Sequence, residues 1–179
     1  MVWFNNSSIG MGYKGNSPSL PQIRTWVRMC RRIPALLLAL GVCLVGCADP
    51  CASPKHDAVI AQAAAEEGAM QTESGLVFLL LKQGTGPKPT ADNRVQVHYE
   101  GRLADGTVFD SSYKRGSPSA FELTDVIPGW TEGLQLLAGG GKARLTIPAR
   151  LAYGKKGKKS KIPPCTPLIF DIELLGIYD

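Results

Sequence analysis

The chain of 179 residues is long enough for one domain with a sizeable core and flanking extensions, and its composition, 44% hydrophobic and 20% charged, is ordinary for a globular protein. Twenty glycines and 13 prolines favour a turn-rich β or α+β fold over a helix bundle. The formal charge of +5 does not indicate nucleic-acid binding, because the part from Cys47 onward holds 15 acidic and 15 basic residues and has no net charge.

The N-terminal segment has the pattern of a secretory signal. Arg31 and Arg32 precede an uncharged, mostly apolar run over residues 33–46, whose 14 residues are fewer than the roughly 20 that span a membrane. The alternative is a buried helix of a soluble protein, but nothing downstream supplies a partner surface for it. Residues 1–28 show no periodicity, so the signal is either unusually long or begins at Met29.

The apolar run ends in Leu44-Val45-Gly46-Cys47, which resembles the lipobox of bacterial lipoproteins. In that motif the cysteine thiol takes a diacylglycerol thioether, and its freed amine is then acylated, commonly with palmitate. The pattern therefore predicts a lipid anchor at Cys47 and a place in the bacterial cell envelope. Because Ala48 gives no inner-membrane retention signal, we expect the periplasmic side of the outer membrane.

Only two of the five cysteines remain as possible thiols in the mature chain. Cys30 and Cys43 lie in the predicted signal and Cys47 carries the lipid, so Cys51 and Cys165 remain. An exported location permits a disulfide between them, but closing so long a loop onto a flexible end is not compelling, and the sequence leaves the pairing open. The two histidines lie far from any second ligand cluster, so no metal site is predicted.

Three regions are predicted along the chain: an extension with signal peptide over residues 1–46, a lipid-anchored tether with a short helical spacer over residues 47–71, and a folded domain over residues 72–179. The spacer, rich in alanine and glutamate, ends near Gly68. It lacks an apolar stripe with which two copies could pair, so we expect a monomer.

Residues 72–179 read as a β-rich domain with one helix. In residues 94–100, valine and tyrosine alternate with glutamine and histidine, the period of a half-buried strand. Pro128-Gly129 opens a helix whose Trp130, Leu134 and Leu137 share one face. Further strands are predicted at residues 74–83, 107–110, 121–123, 142–147 and 168–175, with a tight turn at Asp105-Gly106, which gives an α+β domain.

Eight stretches of this domain carry a family pattern in order. They are Val97-His98-Tyr99-Glu100-Gly101, Asp105-Gly106, Phe109-Asp110-Ser111-Ser112, Val126-Ile127-Pro128-Gly129-Trp130, Glu132-Gly133, Ala152-Tyr153-Gly154, Ile162-Pro163-Pro164 and Leu168-Ile169-Phe170-Asp171-Ile172-Glu173-Leu174-Leu175. Together they resemble the FKBP-type peptidyl-prolyl cis/trans isomerases, in envelope forms similar to the macrophage infectivity potentiator group. The resemblance implies a bent antiparallel sheet wrapped around one short helix.

The resemblance also implies a shallow aromatic pocket that holds a substrate proline on Trp130. The Ile127 backbone N–H and the Tyr153 hydroxyl are implied donors to ligand carbonyls, and Asp110 is the implied polar contact at the twisted amide. The implied catalytic residues are Phe109, Asp110 and Tyr153. The implied substrate-binding residues are Tyr99, Phe121, Val126, Ile127, Trp130, Ile162 and Phe170.

Two departures from the family pattern concern substrate preference. Cys165 stands where relatives often have histidine or asparagine. The lysine loop, residues 154–161, carries five lysines and is more basic than usual. This loop is either simply solvated or contacts anionic lipid head groups or acidic substrate segments.

The implied chemistry needs no nucleophile. Resonance gives the amide a rotation barrier of ~18–20 kcal/mol, and an apolar pocket shaped for the twisted amide lowers it by differential binding. The sequence thus predicts a cofactor-free isomerase that assists folding of exported or envelope proteins, acts on proline-containing polypeptides and binds macrolides of the FKBP class. The alternatives are a non-catalytic chaperone or proline-peptide binding module, and an envelope interaction protein that relies on its lipid and lysine loop.

Overall fold

One antiparallel sheet organises the computed structural model, which describes residues 49–179; the predicted signal and Cys47 lie outside the described residues. Six of its seven strands follow the spatial order β1-β2-β6-β7-β3-β4, and β5 pairs with the part of β3 that β4 leaves free. The elements are α1 (Pro54–Ala64), β1 (Ala69–Gln71), β2 (Val77–Lys82), β3 (Arg94–Arg102), β4 (Val108–Ser111), β5 (Ser119–Glu122), α2 (Pro128–Leu136), β6 (Lys142–Ile147) and β7 (Leu168–Tyr178). The α+β prediction is confirmed.

The two central strands, β3 and β7, show the predicted alternation. Along β3, and along β7 as far as Leu174, every second side chain is buried in the core that contains α2, and the intervening ones are more exposed on the other face. The buried positions are Val95, Val97 and Tyr99 on β3 and Leu168, Phe170, Ile172 and Leu174 on β7.

Helix α2 packs closely on β6 because glycines face that strand. A Cβ at Gly129 would lie 2.4 Å from Ile147 Cγ2, and one at Gly133 would lie 2.5 Å from Leu145 Cδ1. Pro128 begins the helix, where its missing N–H costs nothing. The face predicted to be apolar, Trp130, Leu134 and Leu137, is buried.

The opposite face of the sheet carries an ion cluster around Asp171. Arg102 Nη1 lies 2.9 Å from its Oδ2, and Arg144 Nε lies 2.7 Å from its Oδ1. Burial alone would raise the pKa of the Asp171 carboxyl, but the bonds from the two arginines outweigh burial and hold the pKa below its usual value. Asp171 of β7 therefore has a structural role on the side of the sheet away from α2.

The predicted tether is attached to the domain instead of hanging free. Helix α1 ends at Ala64, earlier than predicted, contacts β1, β2 and β6, and is followed by β1, which joins the sheet edge beside β2. This docking brings the Cα atoms of Cys51 and Cys165 to 4.9 Å, and the two residues form a disulfide. The sequence argument against this pairing was wrong, because it treated residue 51 as part of a flexible end.

Within residues 49–179, neither helix is long and apolar enough to cross a membrane.

Candidate functional site

An open cavity of about 480 Å³ lies beside the N-terminus of α2. Aromatic and aliphatic side chains make most of its wall, with three charged side chains among them. The lining residues are Tyr99, Phe109, Asp110, Phe121, Asp125, Val126, Ile127, Pro128, Trp130, Tyr153, Lys158 and Phe170.

Three aromatic rings surround the Trp130 indole. Its ring centroid lies 5.1 Å from Tyr99, 5.5 Å from Phe121 and 5.2 Å from Phe170, and each pair is close to perpendicular. Such edge-to-face contacts fix the indole plane from several sides. Trp130 is only 4% exposed, and its buried indole N–H has no hydrogen-bond partner within the described part of the chain. The geometry is that of a rigid apolar floor.

The wall beside this floor depends on an irregular strand pair. Across β3 and β4, Gly101 faces Asp110 whereas Arg102 faces Val108, so Phe109 is an extra residue, a bulge, in β4. Neighbouring residues of a regular strand point to opposite faces, and the bulge allows both Phe109 and Asp110 to line the cavity.

A glycine makes room for the two phenylalanines of this wall. A Cβ at Gly101 would lie 2.6 Å from Phe170 Cε1 and 2.7 Å from Phe109 Cζ, so only glycine lets these rings approach β3. The rings themselves meet edge to face at 5.5 Å.

Asp110 belongs to a network with Tyr99 and Arg115. The Tyr99 hydroxyl donates to Asp110 Oδ2 at 2.7 Å, Arg115 Nη1 donates to Asp110 Oδ1, and Arg115 Nη2 lies 3.0 Å from the Tyr99 hydroxyl oxygen. Burial alone would raise the pKa of the Asp110 carboxyl, but these bonds outweigh it and hold the pKa below its usual value. Asp110 is therefore an ionised, oriented acceptor at neutral pH.

Two hydrogen-bonding groups at the cavity suit a peptide. The Ile127 carbonyl accepts from the Trp130 and Thr131 amides, whereas its own N–H donates to no group within residues 49–179. The Tyr153 hydroxyl lies 3.3 Å from Lys158 Nζ, which donates to it and leaves the hydroxyl hydrogen available. Both sites match the donors that the sequence resemblance implies.

Nine of the ten predicted site residues line the cavity, and Ile162 does not. Ile162 is 1% exposed and belongs to the hydrophobic core, where it holds the end of the lysine loop. Its role in substrate binding stays a prediction, because a large aliphatic residue in a family motif can serve packing as well as binding.

Sequence reasoning missed four residues of the site. Asp125, Pro128 and Lys158 line the cavity, and Arg115 orients Asp110. Arg115 lies in an irregular segment without periodicity, and only its position shortly after Asp110 could have suggested a partner. Lys158 could have been singled out because its loop follows Tyr153 directly.

The arrangement offers binding and orientation, not bond cleavage. His98 Nδ1 lies 2.9 Å from Ser112 Oγ, but neither residue lines the cavity, and Ser112 is fully buried and also accepts from the Tyr99 amide. In the region covered by the structure, no three His, Cys, Asp or Glu side chains are grouped as a metal site would require.

Comparisons with known proteins point to one family. Residues 86–175 match the family model of the FKBP-type peptidyl-prolyl cis-trans isomerases. The chain is 53% identical over 114 residues to an FKBP-type 22 kDa peptidyl-prolyl cis-trans isomerase of Escherichia coli, an alignment covering 64% of this chain and 55% of that protein. It is 51% identical over 119 residues to the macrophage infectivity potentiator of Trypanosoma cruzi, covering 66% of this chain and 61% of the relative.

Solved structures agree. A peptidyl-prolyl cis-trans isomerase of Pseudomonas syringae superposes with a TM-score of 0.66 at 42% identity, covering 70% of this chain and 92% of that one. The matched region spans about half the length of the curated relatives. The family model matches half of the chain and the superposition covers the same domain, so the chain belongs to the FKBP-type peptidyl-prolyl cis-trans isomerase family.

Proposed function

We propose that the protein is a peptidyl-prolyl cis/trans isomerase that assists the folding of exported or envelope proteins. The observation that carries this proposal is the aromatic cavity, in which Trp130, Phe109 and Phe170 enclose a space of about 480 Å³ beside the ionised Asp110. Family membership supports the same activity. Proline-containing polypeptides are its substrates, and macrolides of the FKBP class compete for the same cavity.

The geometry accounts for catalysis without a covalent step. The proline ring packs on Trp130, and the Ile127 N–H and the Tyr153 hydroxyl hold flanking carbonyls, which fixes the chain on either side of the X-Pro bond. Twisting removes amide resonance and reduces the carbonyl dipole, so an apolar wall favours the twisted state more than water does. Because no proton moves, we expect the rate to be flat between about pH 6 and 8.

Isomerisation of a short Leu-Pro peptide by the purified full chain tests the proposal. Phe109→Ala and Asp110→Ala should each lower kcat/KM roughly tenfold or more, since each removes a wall or an oriented acceptor at the twisted amide. Tyr153→Phe should cost less, about 0.5–1.5 kcal/mol for one hydrogen bond. Glu100→Ala, on the other face of β3, should retain full activity, and circular dichroism checks folding throughout.

Wild-type rates in a folded Phe109→Ala, Asp110→Ala double variant would contradict the assigned site. If wild-type protein binds proline peptides and slows their aggregation without accelerating isomerisation, the protein is instead a chaperone or binding module.

We also propose that the mature chain begins at acylated Cys47 and is held at the periplasmic side of the outer membrane. The lipobox-like sequence supports this, and so does the disulfide at Cys51, only four residues later. Such a spacing reaches at most about 14 Å, which would keep the domain next to the bilayer.

Three measurements test the anchor. They are detergent partitioning of wild type and Cys47→Ser, mass spectrometry of the mature N-terminus, and membrane fractionation. We expect acylated Cys47, no peptides from residues 1–46, and loss of detergent partitioning in the variant. Equal partitioning of both forms, or a mature chain that retains Trp3, would exclude the anchor.

A further inference from the structure

Lys158 is a cation fixed at the wall of the cavity. It lines the cavity, and its Nζ lies 3.3 Å from the Tyr153 hydroxyl oxygen and 5.1 Å from the Tyr153 ring centroid. An ammonium over an aromatic face is attracted by the ring quadrupole, and this contact holds the charge beside a residue that faces the substrate.

The backbone of Lys158 is anchored to the core. Its N–H donates to the Ile162 carbonyl at 2.9 Å, and the Ile162 N–H donates back at 3.3 Å. The preceding Gly157 has φ +61°, and a Cβ there would lie 2.3 Å from the Ile162 carbonyl oxygen, so glycine is required for this approach. Because Ile162 is buried, the position of Lys158 is set by packing and not by a loose loop.

The charges around this point are unbalanced. All five lysines of the loop, Lys158 included, are exposed, and no carboxylate among residues 49–179 forms an ion pair with any of them. Two carboxylates line the cavity: Asp110 is paired with Arg115, and Asp125 forms no ion pair in the part of the chain that the structure describes. The Tyr153 side of the cavity is therefore a cationic rim without a protein partner in the described part of the chain.

We propose that Lys158, supported by the other lysines of the loop, is a subsite for an acidic side chain that flanks the substrate proline. The inference rests on the proposed isomerase function and specifies its substrate class. A peptide whose proline fills the open cavity continues over the rim, and an extended chain advances about 3.3 Å per residue. An aspartate or glutamate within a few residues of the proline thus comes within reach of the Lys158 ammonium.

An anionic lipid surface is a weaker match to the same observations. It would explain why the loop carries five exposed lysines, but not why the Lys158 ammonium lies over the Tyr153 ring and lines the cavity. The geometry of Lys158 therefore favours an acidic peptide over a lipid head group.

Matched proline peptides test the subsite. The full chain is assayed on three peptides that carry glutamate, glutamine or lysine next to the Leu-Pro pair, on each side in turn. For one side, kcat/KM should be about twofold to fivefold higher with glutamate than with glutamine and lower with lysine, and the differences should shrink at 0.5 M salt. Lys158→Gln should remove most of the preference, and Lys158→Glu should reverse it.

Lys88→Gln is the matched control, because it removes one exposed lysine that does not line the cavity. It should keep the wild-type preference. Equal kcat/KM for all three peptides on both sides, or a preference unchanged in Lys158→Gln, overturns the proposal.

Two further measurements separate this inference from the proposed function. If no peptide is isomerised, peptide binding followed by fluorescence anisotropy still decides whether glutamate peptides bind more tightly than lysine peptides and whether Lys158→Gln abolishes the difference. Lysine acetylation footprinting with phosphatidylglycerol or phosphatidylcholine vesicles tests the lipid. If anionic vesicles protect the loop lysines from acetylation and the protein shows no preference for glutamate peptides, the loop binds lipid and the peptide subsite is overturned.

Discussion

Replacing Gly101 by alanine should damage the cavity from behind its aromatic wall. The added methyl would lie 2.6 Å from a Phe170 ring carbon and 2.7 Å from a Phe109 ring carbon. Carbon atoms pack best at about 3.5–4.0 Å, so both rings must move by about 1 Å, and because both rings line the cavity they can move into it. Gly101 is the second-last residue of β3 and is paired with both β7 and β4, so the backbone cannot easily retreat instead.

The displacement has two measurable consequences. Overpacking of this kind costs about 1–3 kcal/mol of unfolding free energy. A shift of about 1 Å in groups that position substrate can cost up to 100-fold, so we expect kcat/KM to fall by about tenfold to 100-fold while the fold is kept. Protease-coupled isomerisation gives the rate, and urea unfolding followed by circular dichroism gives the stability.

Gly139→Ala is the matched control for this experiment. Its Cβ would meet its nearest neighbours, Gly86 and Pro87, at 3.5 Å, an ordinary contact, and the site lies outside the cavity. It should keep wild-type activity and nearly wild-type stability. A Gly101→Ala protein with unchanged kcat/KM and urea midpoint would show that the two rings have room to spare, and would refute the packing argument.

Two other predictions concern stability. Asp171→Asn should lower the unfolding free energy at pH 7 by about 2 kcal/mol, because Arg102 and Arg144 lose a charged partner. Because the folded-state pKa of Asp171 is depressed, its contribution to stability is complete above the unfolded-state pKa near 4 and is lost as the pH falls below that value. The difference in unfolding free energy between wild type and Asp171→Asn, measured by urea unfolding, should therefore shrink towards pH 2. A difference that does not change with pH would contradict the ion-pair account. Reducing the Cys51–Cys165 disulfide, which joins residues 114 apart in sequence, should lower the urea-derived unfolding free energy by about 2–4 kcal/mol, and an unchanged value would show that docking of α1 already supplies the constraint.

The regular parts of this fold could be predicted because their periodicity is local. Alternation in residues 94–100 identified β3, and the spacing of Trp130, Leu134 and Leu137 identified the buried face of α2. The motif order identified nine lining residues together, although no single aromatic could be assigned to a pocket instead of a core.

The remaining features depend on contacts distant in sequence. Pairing of Cys51 with Cys165 requires α1 to dock on the sheet, which composition does not reveal. The bulge at Phe109 arises from the register between two strands, and a single strand carries no sign of it. Arg115 acquires its role only when the chain returns to Asp110.

The Cys51–Cys165 disulfide also changes how the domain bears mechanical load. It closes residues 51–165 into a covalent ring that contains every element except β7. When residue 49 and the C-terminus are pulled apart, the tension passes across the sulfur bridge. The covalent ring is therefore not lengthened, and it contains α1, β1 and the cavity walls carried by β3 and β4. The force is borne by β7, hydrogen-bonded on both sides to β3 and β6, and rupture of those two pairings would be the event that a pulling experiment records.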